Sequence, residues 1–226
     1  MQPEVKTICF GSVNCYLIKN SEGFILIDTG LALHRQQIEK ELNHLGCCPG
    51  RLKLIILTHG DFDHAGNAAY FRHRYAAPIA IHRNESGVVE KGDMLLSRKG
   101  HRLKKILSKI ILKIILPWKG LGKFEKFRPD FYIEDGFDLS QYGFDARVLY
   151  IPGHSQGSIG IITADGNLFC GDFFINGSRP SLNPVIDDTA AANATIENLK
   201  NLKIATIYPG HGSSFVMAEL LLPESP

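Results

Sequence analysis

The chain is predicted to be an α/β protein because strand-like and helix-like segments interleave along its whole length. Its composition supports a packed core. Of 226 residues, 44% are hydrophobic and 21% charged, which excludes disordered, collagen-like and coiled-coil chains. A chain this long buries about 70% of the surface it exposes when unfolded, so it needs no disulfide or metal staple to make a core. No low-complexity linker divides it, so 1–226 is expected to be one domain carrying an insertion at about 91–128.

The elements are read in order. Cys15–Ile18 and Phe24–Ile27 are predicted strands separated by the turn Asn20-Ser21-Glu22-Gly23. Ile38, Leu42 and Leu45 fall at helical spacing, which predicts a helix from about Leu33 to Leu45 with Gly46 as its stop. Leu52–Leu57 is a short continuous apolar run, as expected for a strand buried on both faces. It ends in Thr58-His59-Gly60-Asp61-Phe62-Asp63-His64, where the next helix is predicted to begin. Ile79–Ile81 is a further short strand. In the second half, Arg147–Ile151, Ser158–Thr163 and Leu168–Cys170 are predicted strands, Ala190–Leu202 a helix and Ile204–Tyr208 a last strand.

The five cysteines, Cys9, Cys15, Cys47, Cys48 and Cys170, contain no CxxC pair, which argues against a disulfide framework and a cysteine zinc site. The start MQPEVKTICFGSVN lacks a basic segment followed by an apolar one, and no run of 18 uncharged apolar residues occurs. A cytoplasmic, reduced protein is therefore expected. The net charge of +2 is uninformative as a total, but its distribution is uneven. The insertion holds twelve Lys and Arg against Asp93 and Glu125, a local charge of +10. Within it Leu103, Ile106, Leu107, Ile110, Ile111 and Ile114 form an apolar stripe opposite His101, Lys105, Lys109 and Lys113. Three readings stay open for this amphipathic helix over 101–118. It is a lid over an acyl substrate, an anchor on anionic lipid at the inner membrane face, or a helix packed on the core with solvated lysines.

The chemistry concentrates in His59-x-Asp61-x-Asp63-His64, at the end of a buried strand. His154 in Pro-Gly-His-Ser, Asp172 in Cys-Gly-Asp and His211 in Pro-Gly-His-Gly stand at other predicted strand ends. Glycine beside each lets the backbone turn sharply at the sheet rim. This mixture of imidazoles and carboxylates suits zinc, iron or manganese. His82 is read as a histidine near the site that is not a ligand, His34, His44 and His73 as solvated helix-surface residues, and Cys170 as a packed thiol. The loop Phe173–Pro184, with Asn176, Arg179 and Ser181, either touches substrate or simply closes.

Six blocks in order, Asn14–Ile18, Ile27–Gly30, Thr58–Asn67, Gly153–Gly157, Gly171-Asp172 and Gly210–Gly212, resemble those of the metallo-β-lactamase-fold hydrolases, in the hydroxyacylglutathione hydrolase and lactonase-like branch. The resemblance covers about residues 12 to 213 apart from the insertion. It implies a four-layer αβ/βα sandwich with a dinuclear metal site at one edge. It also implies that His59, position 61 and His154 hold one divalent metal, that Asp63, His64 and His211 hold the other, and that Asp172 bridges them. Asp28 matches a family aspartate that orients a ligand from behind. The chain departs from the family at Asp61, where histidine is usual. A carboxylate there makes the first site more anionic and favours harder ions such as Mn²⁺ or Fe²⁺ beside zinc; the alternative is that Asp61 points away.

The mechanism implied is hydrolysis of a small-molecule ester, thioester or lactone by a hydroxide held between two metals, with Asp63 as the catalytic residue that orients it and relays a proton. Two other readings stay open. Flavodiiron relatives also carry a carboxylate at the position of Asp61, but with an attached flavin domain for which this chain is too short. Nucleic-acid phosphodiesterases of the family carry large extra domains absent here, so a nucleic-acid partner is not expected.

Overall fold

In most of the longer strands successive side chains divide between two different apolar clusters, and that period-two sorting dictates a layered molecule. The computed structural model of the chain describes residues 3–97 and 124–220. Among these, one sheet has the strand order β1 (Glu4–Phe10), β2 (Val13–Lys19), β3 (Phe24–Ile27), β4 (Leu52–Ile56), β5 (Ile79–Ile81), β6 (Phe131–Tyr132). Its first three strands pair antiparallel, and β3 to β6 pair parallel. Parallel neighbours need crossovers, which α1 (Arg35–His44) and α2 (Ala68–Tyr75) supply, and α3 (Ser86–Lys91) follows β5.

The second sheet is built from β7 (Ala146–Tyr150), β8 (Ile159–Thr163), β9 (Asn167–Gly171), β12 (Thr206–Pro209) and β13 (Phe215–Val216), in the spatial order β13-β12-β9-β8-β7. Its parallel pair, β9 and β12, is bridged in sequence by the hairpin β10 (Phe174–Asn176) with β11 (Pro180–Leu182) and by α4 (Thr189–Lys200).

Three apolar layers separate four layers of secondary structure. Cys15, Leu17, Leu26 and Ile55 face Ile38, Leu42, Phe71 and Tyr75 of the first helices. Their neighbours Tyr16, Ile18, Ile25, Ile27 and Leu54 face the other way, onto Val148, Ile159, Ile161 and Phe169 of the second sheet. Leu168, Cys170 and Ile207 then pack beneath Ala192 and Leu199 of α4. Both sheets are covered on both faces, the αβ/βα sandwich expected.

Two sequence expectations need correction. Thr58–His64 does not begin a helix. His64 and Ala65 both donate their N–H to the Asp61 carbonyl in a turn, and α2 starts only at Ala68. Asn67 explains the delay, because its Nδ2 reaches the carbonyls of Thr29 and Leu31 and ties this loop to the end of β3. Strand β1 was not expected, since its pattern is mostly exposed; seven register pairs with β2 hold it. Of the insertion, the described parts are the end of α3, the 3-10 turn Met94–Ser97 and residues 124–128, where Phe124 and Phe127 pack on the first core. The amphipathic stretch 101–118 lies outside the described residues. No helix among the described residues is long and apolar enough to cross a membrane.

Candidate metal centre

The parallel strand pairs carry their C-terminal ends to one edge, and the chemistry-bearing residues stand there, just past the strands. Asp28 follows β3, His59 to His64 follow β4, His154 follows β7, Asp172 follows β9 and His211 follows β12. Glycine marks one approach most clearly. Gly212, at φ 89°, lies so close to the Asn176 carbonyl that a Cβ would collide with it. Asn176 is thus a brace for the His211 loop. Its N–H donates to the His211 carbonyl at 2.9 Å, and its Nδ2 donates to Ser213.

The structure brings together all seven sequence-predicted side chains. His59, Asp61, His64, His154 and Asp172 are buried, and Asp63 and His211 are partly exposed. His59, His154 and Asp172 form one group with ligand atoms within 4.8 Å of one another, and Asp63, His64 and His211 form another. Asp61 does not point away. Its Oδ2 lies 3.3 Å from His154 Nε2 and 3.7 Å from His59 Nε2. Asp172 sits between the groups, with Oδ1 at 3.0 Å from His64 Nε2 and 3.3 Å from His211 Nε2, and Oδ2 at 3.8 Å from His154 Nε2. The Asp63 carboxylate reaches His211 Nε2 at 3.5 Å.

The protonation pattern follows from the partners on the far side of each ring. His64 Nδ1 faces Asp28 at 2.9 Å, His154 Nδ1 faces the Val185 carbonyl at 2.8 Å, and His211 Nδ1 faces the Ser12 carbonyl at 2.8 Å. These partners only accept, so each Nδ1 must carry the hydrogen. His59 Nδ1 faces Thr58 Oγ1 at 3.0 Å, and that hydroxyl already donates to Asp28, so here too Nδ1 is the donor. Every neutral imidazole therefore presents its Nε2 lone pair to the carboxylates of Asp61, Asp63 and Asp172. Lone pairs facing anions need a cation between them. Buried His59 Nε2, His64 Nε2 and Asp172 Oδ1 accordingly make no hydrogen bond within the protein. The donor set fits divalent metal, and the Nδ1 partners are the outer contacts that fix metal-binding histidines.

Without a cation the cluster compensates with protons. Burial pulls His64 down, but Asp172, Asp28 and Asp63 outweigh it and hold its pKa well above the ordinary imidazole value. His211 is likewise raised to about 10 by Asp172 and Asp63 against burial. His59 goes the other way, well below the ordinary value, because burial and then the neighbouring His64 disfavour its charge. Burial raises Asp172, but His64, His211 and His59 overcome it and keep the carboxylate ionised.

The other flagged residues have plain roles. His82 stacks on Tyr150 at 4.8 Å and accepts from the Asn84 N–H. His44 and His73 are exposed, but His34 is half-buried against Phe10, a correction to its reading as a solvated helix face. Cys170 is a packed thiol pushed up to about 12 by burial. Sequence reasoning missed Glu85, a fully buried carboxylate beside the loops that carry His59 and His154. Its only sequence signal is the pair Gly60 and Gly157, whose missing side chains make room for it.

Comparison with known proteins places this geometry. A profile described as the metallo-beta-lactamase superfamily matches residues 10–211. Among curated relatives, human acyl-coenzyme A thioesterase MBLAC2 is 25% identical over 217 residues, covering 89% of this chain and 74% of that protein. Hydroxyacylglutathione hydrolase GloC of Haemophilus influenzae is 28% identical over 183 residues, covering 78% and 74%. Among solved structures, TTHA1623 in a di-iron-bound form superposes with a TM-score of 0.70 at 24% identity, covering 95% of each chain. The B3 metallo-beta-lactamase BLEG-1 gives 0.69 at 23% identity, covering 96% and 95%. At these identities the two structures speak for the fold alone.

Proposed function

The chain belongs to the metallo-beta-lactamase superfamily, and from that membership we propose that this metal-dependent hydrolase cleaves a small thioester, with esters and lactones as related substrates, at a two-cation centre. The observation that carries the reading is the set of four Nε2 lone pairs, locked by their Nδ1 partners, aimed at three carboxylates. The named activities of MBLAC2 and GloC favour a thioester over the other acyl bonds.

His59, Asp61 and His154 would hold one cation, Asp63, His64 and His211 the other, and Asp172 would serve both. Divalent cations there, zinc first with iron or manganese as alternatives, would polarise the substrate carbonyl and bring a water's pKa near neutrality. Asp63 is the carboxylate of the group most open to solvent, with its side chain 20% exposed. It would accept the proton of the attacking water and pass it to the leaving thiolate. The products are a carboxylic acid and a thiol.

The test pairs metal analysis with a panel of thioesters, lactones, esters and phosphodiesters. The expected result is two equivalents of divalent metal and thioester turnover, lost on chelation and restored by metal. Full turnover in a metal-free, chelator-treated sample would overturn the reading. Iron-loaded protein that consumes oxygen and hydrolyses nothing would point to the oxidoreductase alternative.

A further inference from the structure

Between β5 and α3 the chain buries a carboxylate completely, and Glu85 has no cationic partner among the contacts that hold it. What it has instead is three donors from two loops. Glu85 Oε2 accepts from the Gly60 N–H at 3.0 Å, and Oε1 accepts from the Gly157 N–H at 2.9 Å and from Ser155 Oγ at 2.8 Å. Gly60 lies between His59 and Asp61, and Ser155 follows His154 directly. Burying such a group is costly unless its bonding is complete, so this position has a definite use.

The donor pattern favours the ionised form, opposing burial and the nearby Asp61 charge, which push the Glu85 carboxyl above its ordinary value. Ser155 Oγ donates to Glu85 and therefore accepts from Ser158 Oγ, 2.7 Å away, whose own oxygen accepts from the Ser155 N–H at 3.1 Å. Two of the three bonds come from backbone N–H groups, which can only donate, and the third comes from the Ser155 hydroxyl. The loops are shaped to it. A Cβ on Gly60 would strike Val88 at 2.8 Å and stand 3.1 Å from Glu85 Oε2, and one on Gly157 would lie 2.7 Å from Glu85 Cγ. These segments also meet through a backbone bond, Ile159 N–H to the Thr58 carbonyl at 3.0 Å, and through His154 Nε2, 3.3 Å from Asp61 Oδ2.

We propose that Glu85 is a positioning residue that, as a buried carboxylate, clamps the His59–Asp61 loop to the His154 loop and so sets the spacing of the first cation's ligands. Its hydrogen bonds go to Gly60, Ser155 and Gly157, neighbours of the proposed ligands, and not to the ligand atoms themselves. The second group, Asp63, His64 and His211, takes its outer contacts from Asp28 and Ser12 instead and receives none from Glu85. The inference rests on the two-cation reading above.

The experiment measures zinc affinity by competition with a chromogenic chelator in two single-site backgrounds. His211→Ala leaves the group formed by His59, Asp61, His154 and Asp172, and His154→Ala leaves the other. Glu85→Gln should weaken zinc by about 10–100-fold in the first background, the usual scale for losing an outer contact of a metal ligand. In the second background it should change affinity by less than about threefold. Ser155→Ala, which keeps the carboxylate and removes one donor, should act in the same direction by several-fold and carries the test if Glu85→Gln does not fold. An equal loss in both backgrounds would mean a merely structural role, and no loss in the first would overturn the clamp. Wild-type protein that takes up no zinc at all would overturn the two-cation reading itself.

Discussion

His64 donates its Nδ1–H to Asp28 Oδ2 at 2.9 Å, and that bond decides which lone pair the ring turns towards Asp172. Asp28 does more than face one ring. It also accepts from the Thr58 N–H and hydroxyl, both at 2.8 Å, and the hydroxyl in turn orders His59. One buried carboxylate therefore orients a histidine in each metal group.

Asp28→Asn should lower cation affinity by about 10–100-fold, since an amide cannot accept on both sides. Asp28→Ala should do the same and also destabilise the fold. Asp28 sits at φ 59°, where asparagine is tolerated and alanine strained by roughly 1–2 kcal/mol. Thermal unfolding of the metal-free variants separates the two effects: the alanine variant should melt clearly below the asparagine one.

Removal of Asp172 should abolish turnover and bound metal together, because its two oxygens serve both groups. His154→Ala should lose one equivalent first. Cys170→Ser should keep turnover within about threefold, as the thiol packs away from the site in the third core. Comparable losses for Cys170→Ser and Asp172→Ala would contradict this assignment.

Asp61 makes the first group more anionic than a histidine would, and its Oδ2 lies among the Nε2 atoms of His59 and His154. Asp61→His should shift the metal ratio of protein loaded from a mixture towards zinc and away from manganese or iron. It should also move the acidic limb of the pH–rate profile to lower pH, because the cations would pull harder on bound water. Unaltered metal content in Asp61→Ala would exclude this carboxylate from coordination.

Loading metal at pH 7.5 should release about two protons per chain, because His64 and His211 are held protonated in the metal-free cluster and must give up those protons to bind. Titration in weak buffer with a pH indicator reads this directly. The linked effect on stability has a definite sign. His211 is raised from 6.5 to about 10, so its contribution to the metal-free fold is complete below pH 6.5 and fades as pH rises towards 10. The melting temperature of the metal-free protein should fall across that window, and a rise there would contradict the assignment.

The local spacing of the sequence determined much of this protein. Short continuous apolar runs such as Cys15–Ile18 and Phe24–Ile27 announced the sheets, because a strand with both faces covered sends successive side chains into two different apolar layers. The proposed metal ligands were legible because each stands beside a glycine at a strand end, or within six residues of His59. Asp28 was legible only through family resemblance. Tertiary structure decided the rest. The Val185 and Ser12 carbonyls that fix His154 and His211 belong to backbone, which any side chain could provide, so no residue type marks them. Residues 58–64 have the composition of a helix start, but Asn67 and Thr29, brought together by the fold, hold them as a loop. Glu85 looks like an ordinary solvated acid in a polar stretch. Only the folding of Gly60 and Gly157 onto it, across 25 and 72 positions of chain, turns it into a buried anion, because burial belongs to the assembled layers and not to the segment.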